Sequence, residues 1–144
     1  MKVKKITVLY NVASEIVKGN SEERLTELDN ENSANDVFKA LVELGYEVNK
    51  FELNNKSFPL LKTIKTDLIF NLLEGFDDLP NTFSSITSYV ESLGIPMTGA
   101  SGFSGMLTTD KARAKDVMVR NKIPTPNYQL FTSSEDCLKY NLRY

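Results

Sequence analysis

The residues of this 144-residue sequence that could do chemistry lie directly after a predicted strand, in a turn before a predicted helix, and within a predicted helix. Glu74 and Gly75 close the apolar run DLIFNLL (67–73), where a carboxylate could hold the ammonium group of a substrate. The competing interpretation is a solvated loop acid that only marks the end of a strand. Lys111 and Lys115 lie four residues apart and share one face of a predicted helix, where a phosphate could balance their charges. A solvated helix face is the commoner explanation of such a pair.

A glycine-rich turn, TGASG (98–102), precedes another predicted helix. Backbone N–H groups at the start of a helix can bind an anion, although turns of this composition are mostly only turns. The sequence has neither a GxxxxGKS/T motif nor a GxGxxG motif after a strand. It therefore predicts no phosphate loop of the P-loop or Rossmann kind.

Composition excludes several classes of function. The sequence has no histidine and one cysteine, Cys137, which excludes a Cys–His nucleophile, a histidine metal site and an internal disulfide. The net charge of −2, from 17 basic and 19 acidic residues, gives no electrostatic footprint for nucleic acid. No apolar run approaches about 18 residues, and the N-terminus lacks a signal-peptide cleavage site. We therefore expect no membrane partner and a cytoplasmic location.

Strands and helices alternate along the chain. Hydrophobic periodicity predicts strands over 3–10, 46–53 and 67–73, the last as a central strand. It also predicts a short strand or extended piece over 95–98 and a short strand over 128–131. Helices are predicted from Ser33 to Gly45, from Pro80 to Gly94, from about Ser104 to Asn121, and from Ser133 or Ser134 toward Tyr140. The polar residues 11–32 are predicted to form a loop with one helical turn, and a short helix is expected near 59–64.

This order predicts an α/β fold, an open parallel sheet with helices on both faces. In such sheets ligands bind at the carboxyl ends of the strands. The loops after Tyr10, Leu73 and Thr98 should therefore build any binding site.

Three segments taken in order resemble the D-alanine–D-alanine ligase family of ATP-grasp enzymes. They are DLIFNLLEG (67–75), ESLGIPMTGAS (91–101) and TTDKARAKDVMVRNKIPTP (108–126). The resemblance covers roughly residues 34–131, and only the ordered set is specific. It implies a Rossmann-like, three-layer pre-ATP-grasp domain over 1–131, with 132–144 beginning the connection to an ATP-grasp domain that this sequence does not contain.

The resemblance also implies a function for the full-length enzyme. Such a carboxylate–amine ligase activates one carboxylate as an acyl phosphate, which the amine of a second amino acid attacks with loss of ADP and phosphate. ATP and Mg²⁺ bind mainly between the two later domains. We therefore expect an excised or truncated part of an enzyme, with no catalytic residue, no metal ligand, no tightly bound cofactor and no ligation activity alone. Its expected partners are an amino-acid-like small molecule, the missing ATP-grasp domain and, because relatives are dimeric, a second copy.

Individual residues carry the resemblance. Lys111 matches the lysine of the family's DK element, which lies near the nucleotide phosphates. Glu74 falls in the loop that contacts substrate, and Gly75, Thr98 and Gly99 match positions that shape the pocket through close approach of the backbone.

The first loop departs from the family pattern. A glycine-rich loop there precedes a serine and a glutamate that grips the substrate ammonium, whereas this sequence reads YNVASEIVKGNSEER (10–24). Ser14 and Glu15 could take their place, so Glu15 is a further expected substrate contact. The family's TGS is also Thr98-Gly99-Ala100 here. Asp110 is expected to cap its helix rather than to do chemistry.

Two other functional classes remain open. One is a stand-alone domain derived from the same fold that binds a small molecule or docks on a protein, and amino-acid binding without nucleotide would favour it. The other is a flavodoxin-like or receiver-like regulatory domain. A receiver needs clustered acids after its first strand, and Asn11 stands there instead.

Overall fold

The computed structural model describes residues 2–12, 24–76 and 82–135, without the side chains of 24–29. The strands are β1 (Lys5–Tyr10), β2 (Glu47–Glu52) and β3 (Leu68–Leu72). The helices are α1 (Arg24–Glu43), α2 (Phe83–Ser92), α3 (Gly102–Thr109) and α4 (Lys111–Arg120), and a 3₁₀ helix covers Phe58–Thr63, close to its predicted place. None of the helices in the described residues is long and apolar enough to cross a bilayer.

The three strands form one parallel sheet in the order β2-β1-β3. On the other side of β3, Met97 forms a single parallel bridge to Ile69. The Ile69 N–H donates to the Pro96 carbonyl at 2.8 Å, and the Thr98 N–H donates to the Ile69 carbonyl at 3.0 Å. The predicted α/β class and the extended piece at 95–98 are thereby confirmed.

Both faces of the sheet are covered, because successive side chains of a strand point to opposite faces. Val8 and Tyr10 pack with Ala34 of α1 on one face. On the other face, Leu9 of β1 packs in a cluster that includes Ile86 of α2. The prediction of helices on both faces is confirmed.

The central strand is β1 rather than β3. All five residues from Ile6 to Tyr10 are buried, whereas in β3 only Ile69 is fully buried. The prediction that 67–73 would be the central strand was therefore wrong. Its apolar run is nearly continuous, but within the described residues the outer side of β3 is paired only through the bridge at Met97, and the other residues of β3 are partly exposed.

Helix α1 begins at Arg24, nine residues before the predicted start at Ser33. Residues 24–32 were predicted to belong to a loop with one helical turn, because their mostly polar sequence lacks a broad apolar stripe. Asn30 and Ala34 are buried four residues apart, on one face of the helix. The end of the helix was predicted correctly. Gly45 has φ +87°, and the Tyr46 N–H returns to the Leu41 carbonyl at 3.2 Å, as in a Schellman motif.

The single helix predicted over 104–121 is two helices, which break at Asp110 (φ −89°, ψ 91°). The Asp110 carboxylate accepts the Arg113 N–H at 3.0 Å, so Asp110 caps α4 as expected. Lys122, two residues after the end of helix α4, has a positive φ of 58°, a conformation that a side chain disfavours.

The strand predicted over 128–131 was wrong, because residues 123–132 contain no regular structure. Lys115 Nζ donates to Thr125 Oγ1 at 3.2 Å and to the Pro126 carbonyl at 2.8 Å, which holds this segment along α4. The Tyr128 hydroxyl donates to Asp116 at 2.6 Å, and this bond raises the pKa of Tyr128 above its ordinary value. The residue at the predicted start of α2, Pro80, and most of the helix predicted after Ser133 lie outside the described residues.

Helices α2 and α3 touch through glycine. A Cβ atom on Gly102 would lie 2.0 Å from Ser88 Oγ and 2.7 Å from the Ser84 carbonyl oxygen, and one on Gly105 would lie 2.6 Å from the Phe83 ring. Real Cβ atoms essentially never make contacts this short, so a side chain at either position would force its neighbours to move. The two glycines therefore set the distance between the helices.

We expect Gly102→Ala to lower the free energy of unfolding by about 1–3 kcal/mol, because the added methyl group must push the helices apart. Gly75→Ala is the matched control, since its Cβ would meet nothing closer than Thr82 Oγ1 at 3.9 Å. Urea unfolding of both variants measures the difference. Equal stability of the two variants would contradict the close contact.

At the amino edge of the sheet, the Asp67 carboxylate accepts the N–H groups of Lys4 and Lys5, both at 2.9 Å. These bonds, first that of Lys5 and then that of Lys4, hold the pKa of Asp67 below its ordinary value of 3.8. A carboxyl group whose pKa is lowered by folding stabilises the fold above its unfolded pKa. That contribution is lost as the pH falls through the folded value.

We therefore expect acid to destabilise the native protein more than the Asp67→Asn variant as the pH falls below about 4. The variant should be the less stable protein at neutral pH, and the gap should narrow in acid. Urea unfolding at a series of pH values measures both curves. Asp36→Asn, which removes a carboxylate from the exposed surface of α1, should leave the slope nearly unchanged. Parallel curves for Asp67→Asn and native protein would count against the role of Asp67.

Candidate functional site

Three loops leave the carboxyl ends of neighbouring strands, where parallel sheets bind ligands. They are residues 11–12 after β1, residues 73–76 after β3 and residues 98–101 after the bridge at Met97. Because the strands are adjacent and parallel, the loops meet at one edge of the sheet, which we call the carboxyl edge. This edge carries four of the six residues that the sequence predicted for the site.

Side-chain oxygens join the loops where the backbone ladder stops. Thr98 Oγ1 accepts the Asn71 N–H at 3.0 Å, which fixes the third loop to β3. Asn11 Oδ1 accepts the Glu74 N–H at 2.9 Å, which fixes the first loop to the second. The Asn11 carbonyl in turn accepts Asn30 Nδ2 of α1 at 2.8 Å. Buried backbone groups need partners, and here side chains supply them.

Glu74 combines a fixed backbone with a free carboxylate. Its side chain is exposed and forms no hydrogen bond or ion pair with any residue that the structure describes. Further along the loop, the Phe76 N–H donates to Thr82 Oγ1 at 3.0 Å. An acceptor that is held in place and has no cation of its own can bind the ammonium group of a ligand.

The other predicted residues of the carboxyl edge are two glycines and a threonine, and the structure gives a reason for glycine at only one of the two glycine positions. Gly99 has φ +94°, so its backbone conformation favours glycine. A Cβ atom on Gly75 would meet only ordinary contact, so packing gives no reason for glycine there. The Thr98 oxygen already accepts a hydrogen bond, but its hydroxyl hydrogen has no acceptor among the described residues and can still donate.

Side chains of the protein already bind N–H groups at the turn 98–102 and the start of α3. Ser101 Oγ accepts the Ser104 N–H at 3.1 Å, and a carboxylate oxygen of Glu91 accepts the Gly102 N–H at 3.1 Å. These groups already satisfy two of the N–H donors that a phosphate would use at the start of α3. The turn is therefore a poor candidate for an external anion.

Two of the four cations of α4 are bound to other groups of the protein. Lys115 is bound to the segment after the helix and lies 5.7 Å from the centre of the Tyr128 ring. Arg113 Nε pairs with Asp110 at 3.1 Å. Lys111, the first residue of the helix, is exposed and has no hydrogen bond or ion pair within the described parts of the chain. The predicted Lys111–Lys115 pair is thus reduced to Lys111, on a helix that packs against α3.

The structure therefore brings Glu74, Gly75, Thr98 and Gly99 to one edge of the sheet, and no hydrogen bond or ion pair among the described residues joins the Lys111 side chain to their loops. Glu15 lies outside the described residues. Within residues 2–12, 24–76 and 82–135, no three aspartate, glutamate, cysteine or histidine side chains could share a metal ion.

Sequence reasoning missed the three asparagines of this edge, Asn11, Asn30 and Asn71. Each makes a hydrogen bond through its side chain, and two of these bonds join distant parts of the chain. For Asn11, the available signal was its position directly after a buried strand, where the sequence analysis predicted only a loop.

Comparison with known proteins finds several relatives that carry the same name. The chain is 34% identical over 103 residues to a D-alanine–D-alanine ligase of Moorella thermoacetica, which is 72% of this chain and 32% of that protein. It is 31% identical over 134 residues to the enzyme of the same name from Pseudomonas entomophila, 93% of this chain and 38% of that protein. The chain thus spans about a third of the length of these curated relatives. No protein-family model matches it.

Solved structures support the same fold. The crystal structure of D-alanine–D-alanine ligase from Bacillus anthracis superposes with a TM-score of 0.65 and 24% identity, over 94% of this chain and 41% of that one. The structure of that enzyme complexed with ATP gives a TM-score of 0.66 with 23% identity, over 96% of this chain and 41% of that one. At this identity, the similarity establishes the fold alone.

We expect Thr98→Val to lower the free energy of unfolding by about 1–3 kcal/mol, because the Asn71 N–H then loses its acceptor. Thr98→Ser keeps the hydroxyl oxygen and should retain most of the stability. Urea unfolding compares the two variants. If valine were as stable as serine at this position, the hydrogen bond would not hold the third loop.

Proposed function

Because the chain is homologous over most of its length to D-alanine–D-alanine ligases and spans about a third of theirs, we propose that it forms the substrate-side domain of an ATP-dependent carboxylate–amine ligase. The observation that carries this proposal is the carboxyl edge of the sheet. There, Glu74, whose carboxylate has no partner among the described residues, is fixed through its N–H to Asn11 after β1, and the Thr98 hydroxyl is fixed to the Asn71 N–H of β3.

The proposed ligand is an amino acid of the D-alanine type. Its ammonium group would bind the carboxylate of Glu74, and the Thr98 hydroxyl would donate to its carboxylate. Gly75 and Gly99 would let the backbone approach the ligand closely, and Glu15 would add a second acceptor. Holding the reactant in a fixed orientation lowers the entropic part of the barrier, and this is the contribution we assign to the domain.

The reaction we propose for the whole enzyme joins two amino acids through an acyl phosphate formed with ATP and Mg²⁺. The described residues fit those cofactors poorly. Lys111 offers one partner-free cation, and the described residues contain no cluster of three metal-ligating side chains. We therefore assign phosphate contact to Lys111 alone, and we assign the catalytic step to an ATP-grasp domain acting together with this one.

A second candidate is a domain that acts by docking on a protein. Phe103 and Met106 of α3 are 73% and 57% exposed, and Leu130 after α4 is 64% exposed. Large apolar side chains in water favour a covering partner. That partner would be the ATP-grasp domain or a second copy of the chain in the ligase, or another protein for a stand-alone domain.

We expect D-alanine to bind the 144-residue chain weakly, with a Kd on the order of 1–10 mM, and to shift the backbone amide signals of Glu74, Thr98 and Gly99 in ¹⁵N NMR spectra. Glu74→Gln should weaken binding about tenfold, because it removes the charge that faces the ammonium group. Glu43→Gln, an exposed glutamate at the end of α1, is the matched control.

Two outcomes would contradict the proposal. Binding that is equally strong in Glu74→Gln would remove Glu74 from the site, and an absence of any D-alanine response in the native chain would remove the site itself. ATP-dependent ADP release by the purified chain would contradict the assignment of the catalytic step to another domain.

A further inference from the structure

Asn11 holds two parts of the carboxyl edge at once. It is the first residue after β1, and both its side chain and its backbone are used. Its side-chain oxygen accepts the Glu74 N–H at 2.9 Å, across 63 residues of sequence. Its carbonyl oxygen accepts Asn30 Nδ2 at 2.8 Å, across 19 residues.

The bond from Asn30 makes this arrangement rigid. Asn30 is 9% exposed, and Ala34, one turn further along the same face of α1, is fully buried. A buried amide without a partner is costly, so Asn30 has a strong reason to keep its bond to Asn11. The backbone of Asn11 is thus anchored to α1, and its side chain is directed from that anchor to the loop after β3.

The loop that carries Glu74 has three side-chain oxygens as acceptors. Asn71 Oδ1 accepts the Leu73 N–H at 3.2 Å, and Thr82 Oγ1 accepts the Phe76 N–H at 3.0 Å. Both of these acceptors come from segments directly continuous with the loop. The bond from Asn11 is the one of the three that ties the loop to another strand, and it acts on Glu74 itself.

We propose that Asn11 is a positioning residue that fixes Glu74 and thereby sets the affinity of the carboxyl edge for the ammonium group of an amino acid. The inference rests on the proposed function, because it needs Glu74 to contact the ligand. The amide of Asn11 supplies an acceptor without adding a second negative charge beside Glu74. The carboxylate of Glu74 therefore remains the charge that selects a cation.

The experiment uses the ¹⁵N-labelled native chain with Asn11→Ala, which removes the acceptor, and Asn11→Asp, which keeps it. Asn121→Ala is the control, since Asn121 donates a side-chain hydrogen bond to the Val117 carbonyl at the end of α4. Two signals are measured, namely hydrogen exchange of the Glu74 amide and the D-alanine Kd. In Asn11→Ala we expect Glu74 exchange to rise about tenfold and the Kd about fivefold.

In Asn11→Asp the exchange of the Glu74 amide should return most of the way to native, because the acceptor is kept, and in Asn121→Ala both the exchange and the Kd should stay native. If the alanine variant does not fold, Asn11→Gln gives the same test, because its carbonyl is displaced by one methylene group.

The two signals separate the two ways of failing. Native Glu74 exchange in Asn11→Ala would overturn the positioning role, whatever D-alanine does. Faster exchange with an unchanged Kd, while Glu74→Gln still weakens binding, would overturn the link from Asn11 to affinity and leave the proposed function intact. An absence of D-alanine binding by the native chain would overturn the proposed function, and with it the part of the inference that concerns affinity.

Discussion

Burial of β1 on both faces is the constraint on which the rest of the molecule depends. From Ile6 to Tyr10 every residue is buried, so β2 and β3 must flank the strand and helices must close both faces. Removing apolar surface from water is the main favourable term in folding, and β1 concentrates it. The end of β1 therefore also decides where the carboxyl edge lies, since the buried run stops at Tyr10 and the polar Asn11 follows.

At that edge the backbone ladder ends while N–H groups of β3 and its loop still need acceptors. Asn11, Asn71, Thr82 and Thr98 provide them with side-chain oxygens. Because side chains bind the backbone of this loop, the backbone of Glu74 is fixed while its carboxylate has no partner among the described residues. Its backbone takes part in the hydrogen-bond network of the fold, whereas its carboxylate remains available to a ligand.

Local patterns in the sequence were enough for the fold class, for the first two strands and for the presence of a helix over most of 80–94. They were also enough for the Gly45 stop and for the cap at Asp110. They failed at the start of α1, because the mostly polar sequence of its first turns resembles that of a loop. They failed again at 128–131, where the hydrogen bonds of Lys115 hold the segment against α4 instead of the sheet. The bond from Asn11 to Glu74 spans 63 residues, so no local pattern could indicate it.

The glycine contact between α2 and α3 gives a structural reason for the glycine at the end of the turn 98–102. Gly102 is excluded from gaining a side chain by Ser84 and Ser88, and its N–H is bound by Glu91 of the same helix. A change at position 102 therefore requires compensating changes along one face of α2. These positions should covary across homologous sequences as one block, and such covariation would report the crossing of two helices rather than the identity of a ligand.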